Sequence, residues 1–169
     1  MPPLRSVGSC TGQSSSLDDL QCSAWRDFYN STGGVGWTRC SDAATDPCSC
    51  QPYGLPTCTN ASDYGALTIA AINLPSNNLV GELLPSFGAL WPGLVKLWLH
   101  SNPGLGGALP PPLLGQPLLL PAKAAGAGGG GGGRRPASAA LRELVLWGAA
   151  LRGPLPAALP WARLTLCSL

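Results

Sequence analysis

The chain has 169 residues and a formal net charge of +2, enough length for one domain and too little charge to imply a nucleic-acid or membrane-surface partner. Hydrophobic residues make up 45% of it, which excludes a disordered composition, while 23 Gly and 18 Pro point to short elements joined by turns. The charge is unevenly placed: residues 1–66 carry six acids and three bases, and residues 67–169 carry two acids and seven bases.

Residues 1–15 open with MPPLRSVGSC and are expected to be disordered. They hold no apolar run that could serve as a signal-peptide core, so either the protein is not secreted or its true start lies upstream.

Residues 16–66 do not repeat. Ser16 followed by Asp19 resembles a capping box, and Leu17, Leu20, Ala24 and Phe28 fall on one face of the helix it would start. YNSTGGVGWT at 29–38, DPCSC at 46–50 and CTN at 58–60 follow. Six of the seven cysteines lie in residues 10–58. Cys40, Cys48, Cys50 and Cys58 are the disulfide candidates. Their spacing, C-x7-C-x-C-x7-C, lacks the short knuckles of a zinc site, so no metal is expected. Partners for Cys10, Cys22 and Cys40 cannot be read from the residues alone. Two sequons, at Asn30 and Asn60, are glycosylation candidates, and glycans and disulfides both belong to the secretory route.

Residues 67–114 hold two segments on one pattern, IAAINLPSNNLVGEL from Ile69 and LVKLWLHSNPGLGGALP from Leu94. A third, LRELVLWGAALRGPLP, begins at Leu141, and a fourth at Trp161 stops with the chain, so residues 139–169 continue the series. The pattern is L-x-x-L-x-L-x-x-N-x-L-x-G-x-L-P. Alternation in L-x-L suits a short strand. The amides of Asn77 and Asn102 can satisfy backbone groups where the chain bends. Gly81, Gly107 and Gly153 permit turn conformations closed to other residues. Between the second and third segments, residues 115–138 contain AAGAGGGGGGRR and are expected to be a flexible insert. The glycine run matches G-x-G-x-x-G only trivially, since no strand precedes it.

These phrases resemble the plant-type leucine-rich repeat. The order of residues 16–62 is similar to the N-terminal cap of plant leucine-rich-repeat ectodomains. The Ala, Gly and Pro bias suggests an algal source, and the broken fourth segment suggests a fragment or an imperfect gene model. The resemblance implies an α/β repeat solenoid: a short horseshoe with parallel concave strands behind a helical, disulfide-bearing cap. It also implies that Cys48 or Cys50 pairs with Cys58. On the repeat template the outward positions are Lys96, Trp98 and His100, then Arg142, Glu143, Val145 and Trp147, then Arg163. Lys96, Glu143 and Arg163 share one column, and His100 and Trp147 share another. These residues are the candidate ligand-binding face.

Catalysis has little to work with, because His100 is the only histidine and every Asp lies in residues 16–66. No cofactor is expected, and prolines break the most apolar stretch, so no membrane span is expected. The expected function is therefore a non-catalytic module that binds a protein, a peptide or a cell-wall glycan, either secreted or as part of a receptor ectodomain. The competing expectation is an intracellular scaffold in the cytoskeleton or a ciliary axoneme.

Overall fold

Asp18 starts the only α-helix among the residues that the computed structural model describes, which are 9–60, 66–112, 141–157 and, for the backbone alone, 166–168. The helix, α1 (Asp19–Ser31), begins where the Asp18 carboxylate accepts the Gln21 N–H at 2.9 Å, and the Gln21 side-chain amide donates back to Asp18 at 2.6 Å. An anion at this position also complements the helix dipole. The expected Ser16–Asp19 box is thus replaced by an Asp18–Gln21 pair two residues on. That shift changes which face is buried: Cys22, Ala24, Trp25, Phe28 and Tyr29 point inward, and Leu20 is left 45% exposed.

The aromatic residues of α1 set the core. Trp25 packs edge-on to Phe28 at 5.5 Å and to Trp37 at 6.1 Å. Phe28 reaches Phe87 at 5.5 Å, on the 3-10 turn Pro85–Ala89, and Phe87 continues to Trp91 at 5.7 Å. Each such side chain contributes about 1.5–3 kcal/mol by leaving water. Their polar tips are satisfied: the indole N–H groups of Trp25, Trp37 and Trp91 donate to the carbonyls of Ala43, Thr32 and Pro110.

Three disulfides fix the segment around α1: Cys10–Cys22, Cys40–Cys50 and Cys48–Cys58. The third is one of the two pairings that the cap resemblance implies. Ordered chain begins ahead of Ser16, because Thr11 donates to the Thr45 carbonyl and the Ser14 hydroxyl bridges the Cys48 N–H to the Asp46 carboxylate.

The strands are short. β1 (Cys58–Asn60) pairs antiparallel with β2 (Leu67–Ile69). β3 (Ala71–Asn73), β5 (Lys96–Trp98), β7 (Glu143–Val145) and β8 (Leu166–Ser168) form a parallel sheet in that order. β4 (Gly81–Glu82) and β6 (Leu105–Gly106) make a two-stranded parallel ladder. Gly81 shows why glycine stands there: its φ is +127°, and a Cβ would lie 2.0 Å from the Ser31 carbonyl oxygen at the end of α1.

The expected leucine-rich-repeat solenoid is corrected by this arrangement. The described residues make one α-helix and three small sheets of two, four and two strands, and they do not form a horseshoe. The physical reason is that the leucine segments do not stack into a core of their own. Leu74, Leu79, Leu97, Leu99 and Leu144 share one cluster with Trp25, Phe28, Trp37 and the cap cysteines. The steps from Ile72 to Leu97 and on to Leu144 are also unequal, at 25 and 47 residues, so no even turn propagates. The expected insert at 115–138 lies outside the described residues.

Candidate functional site

Two buried asparagines hold the parallel sheet to the disulfide-bonded segment. Asn102 is fully buried. Its Oδ1 accepts the N–H groups of Asn77 at 2.9 Å and Leu79 at 3.2 Å. Its Nδ2 donates to the carbonyls of Leu74, Leu99 and His100. Asn77 repeats the device one turn earlier, with Oδ1 accepting the Arg39 N–H at 2.7 Å and Nδ2 donating to the Arg39 carbonyl. Turns that would leave several buried backbone groups unpaired are thereby satisfied.

This scaffold sets the register of the sheet. Lys96 lies opposite Glu143 and Trp98 opposite Val145, with Asn73 on the other side of Trp98. The Lys96 ammonium makes an ion pair with Glu143 at 3.3 Å and stands 4.5 Å from the Trp98 ring centroid. Beyond them the aromatic rings form a row. Trp98 meets His100 edge-on at 6.1 Å, and His100 stacks on Trp147 at 4.8 Å with 29° between the planes.

The candidate face is therefore assembled only in part as expected. Lys96, Trp98, His100, Glu143 and Trp147 come together, and Arg142 is exposed beside them. Val145 is 5% exposed and belongs to the buried surface. The outward position that the template assigns to it is therefore corrected. Arg163 lies outside the described residues, and the column it was to share closes differently: Leu166, not Arg163, is the partner of Glu143. A shift of three residues in the last strand breaks the template there.

What residue spacing did not reveal is the polar character of this face. Asn73 is 4% exposed, and its Oδ1 has no hydrogen-bond partner among the described residues. The same holds for Trp98 Nε1 and His100 Nδ1. The contrast with Trp25, Trp37 and Trp91 is direct, since all three donate their indole N–H groups within the core. Burial also lowers the pKa of His100 below its ordinary 6.5, which keeps the imidazole neutral near pH 7. The only signal available in the sequence was Asn73 itself, a polar residue inside an apolar stretch.

The four cysteines that could have suited a metal are instead joined in disulfides. Both candidate glycosylation sites are exposed, Asn30 near the end of α1 and Asn60 at the end of β1. No described helix is long and apolar enough to cross a membrane. No family model matches the chain, and no curated protein matches it.

Proposed function

We propose that this chain is a non-catalytic binding module that holds a protein or peptide on the Trp98–His100–Trp147 face of its parallel sheet. The observation that carries this reading is Trp147, which is 48% exposed and stacked on a half-buried histidine. A large aromatic side chain fixed in place at a surface is a typical anchor for a partner, because little rotamer freedom is left to lose on binding. The isolation of His100 supports the same reading, since its Nδ1 has no hydrogen-bond partner among the described residues to orient it as a base.

Three disulfides and two exposed sequons support an extracellular setting, either as a secreted protein or as part of an ectodomain. They weigh against the intracellular scaffold, where the cysteines would be kept reduced.

Panning a random peptide phage library against the oxidised chain tests the function. Selected peptides should bind the natural chain and lose most of their affinity for Trp147→Ala. Failure to enrich any sequence, or equal binding to the variant, removes the proposal.

A further inference from the structure

The three disulfides are not equally placed. Cys40 is half-buried, and together with Cys50 it lines an open cavity of about 350 Å³ next to the 3-10 turns Pro47–Ser49 and Pro52–Gly54. Both sulfur residues of the Cys10–Cys22 bridge are buried in the core. Cys58 is half-buried too, but it is tied into β1 opposite Ile69, its partner Cys48 is buried, and neither of them lines the cavity. Cys40 also has an unusual backbone. Its φ is +62°, in the left-handed region that a residue with a Cβ seldom occupies. Contacts on both sides keep it there: its carbonyl accepts the Ala43 N–H at 3.1 Å, and the Asn77 amide grips the N–H and the carbonyl of Arg39 just before it. The bond to Cys50 is a further restraint on the same residue.

We propose that Cys40–Cys50 is a thiol-modification site, the bridge that a small dithiol entering this cavity opens ahead of the other two. This inference goes beyond the binding reading and does not depend on it. Arg39 and Asp42 line the cavity with opposite charges, so access rather than charge decides the selectivity. A thiolate of the dithiol attacks the Cys40 Sγ, because Cys50 is the buried partner. A new S–S bond forms between the reagent and Cys40, the bond to Cys50 breaks, and the Cys50 Sγ leaves with the electron pair and takes a proton from solvent. The reagent's second thiol, having lost its own proton, then attacks the reagent sulfur of the mixed disulfide. A cyclic disulfide closes, and Cys40 leaves as a thiolate and is protonated in turn. The dithiol is oxidised by two electrons and the bridge is reduced by two. Once the bond is open, Cys40 can leave the left-handed region, which disfavours reclosure.

The probe is dithiothreitol, added in limiting amount to the oxidised full chain after any free thiol has been blocked. Samples are trapped at intervals with N-ethylmaleimide, digested and mapped by mass spectrometry. Cys40 and Cys50 should take up the label at least about tenfold faster than the other four bridged cysteines. In urea the three bridges should open at similar rates, because the difference comes from the fold. Gln51→Trp, a change at an exposed residue of the cavity wall, narrows the entrance. It should slow labelling of Cys40 and Cys50 about fivefold and leave the other four unchanged. Labelling of Cys10 and Cys22 or of Cys48 and Cys58 first, simultaneous labelling of all three pairs in the native chain, the same order in urea, or an unchanged rate in a folded Gln51→Trp overturns the proposal. If that variant does not fold, the order of labelling in the natural chain decides alone.

Discussion

His100 and Trp147 are 47 residues apart in the sequence and stack with ring centroids 4.8 Å apart. The parallel pairing of β5 with β7 puts them side by side, and the two rings then cover the end of the sheet. Trp98 completes the row but is held differently, since its indole N–H is out of water.

The two tryptophans should therefore separate in experiment. Trp147→Ala is expected to change stability by no more than about 0.5 kcal/mol, as surface substitutions do. Trp98→Ala is expected to cost about 2 kcal/mol, because it removes half-buried ring surface and the platform beneath Lys96. Urea unfolding followed by circular dichroism measures both. Equal losses would mean that Trp147 is a packing residue and not an anchor.

Asn102→Ala is expected to be among the most damaging single changes. It removes the partner of two backbone N–H groups and three carbonyls around a side chain that is itself fully buried. A loss of roughly 3–5 kcal/mol follows from several unsatisfied groups at once. A shift in the urea midpoint worth less than about 1 kcal/mol would show that the turn is held by packing alone.

Peptide mapping of a non-reduced digest should recover Cys10 with Cys22, Cys40 with Cys50, and Cys48 with Cys58. Replacing Cys48 and Cys58 together by Ala should cost about 2.5–3 kcal/mol, the loop-closure effect for cysteines 10 residues apart. Complete labelling of all cysteines as free thiols in the native protein would contradict both the pairing and the extracellular reading.

The chain should also lose stability on mild acidification. Burial depresses the pKa of His100 below 6.5, so the unfolded state takes up a proton that the folded state resists. Well above pH 6.5 both states are neutral there and the full stability is present. It falls as the pH drops below that value toward the folded-state pKa. Melting temperatures taken from about pH 7.5 to about pH 5 should decline, and His100→Gln should flatten that part of the curve. An identical decline in the variant would assign the effect to other groups.

Much of this arrangement can be read from residue spacing, and the failures have physical causes. The column of Lys96 with Glu143, and that of His100 with Trp147, followed from aligning the leucines, because alternation in a strand leaves a register few choices. Asn77 and Asn102 were legible as turn residues because their amides both donate and accept. The expected solenoid was a misreading, since pattern matching cannot tell that Trp25, Phe28 and Trp37 enter the same cluster as the leucines. The start of α1 was misplaced because Ser16 and Asp18 are both good capping residues, and only the Gln21 contacts decide between them. Val145 looked outward by alternation alone, but opposite Trp98 in the sheet it is only 5% exposed. In the last strand the register moved by three residues, where the leucine spacing no longer matches the segments before it.

Cys48 and Cys50 are separated by a single residue, yet their bonds run in opposite directions, Cys48 forward to Cys58 and Cys50 back to Cys40. The two closed loops overlap at Ser49 like links of a chain. A protease that severs the backbone anywhere between Cys40 and Cys58 therefore releases nothing, since one bridge or the other always spans the cut. The nicked molecule would stay in one piece, heavier only by the water that hydrolysis adds, until a reductant is added, so this stretch can meet degradative surroundings without shedding the part that carries the sheet.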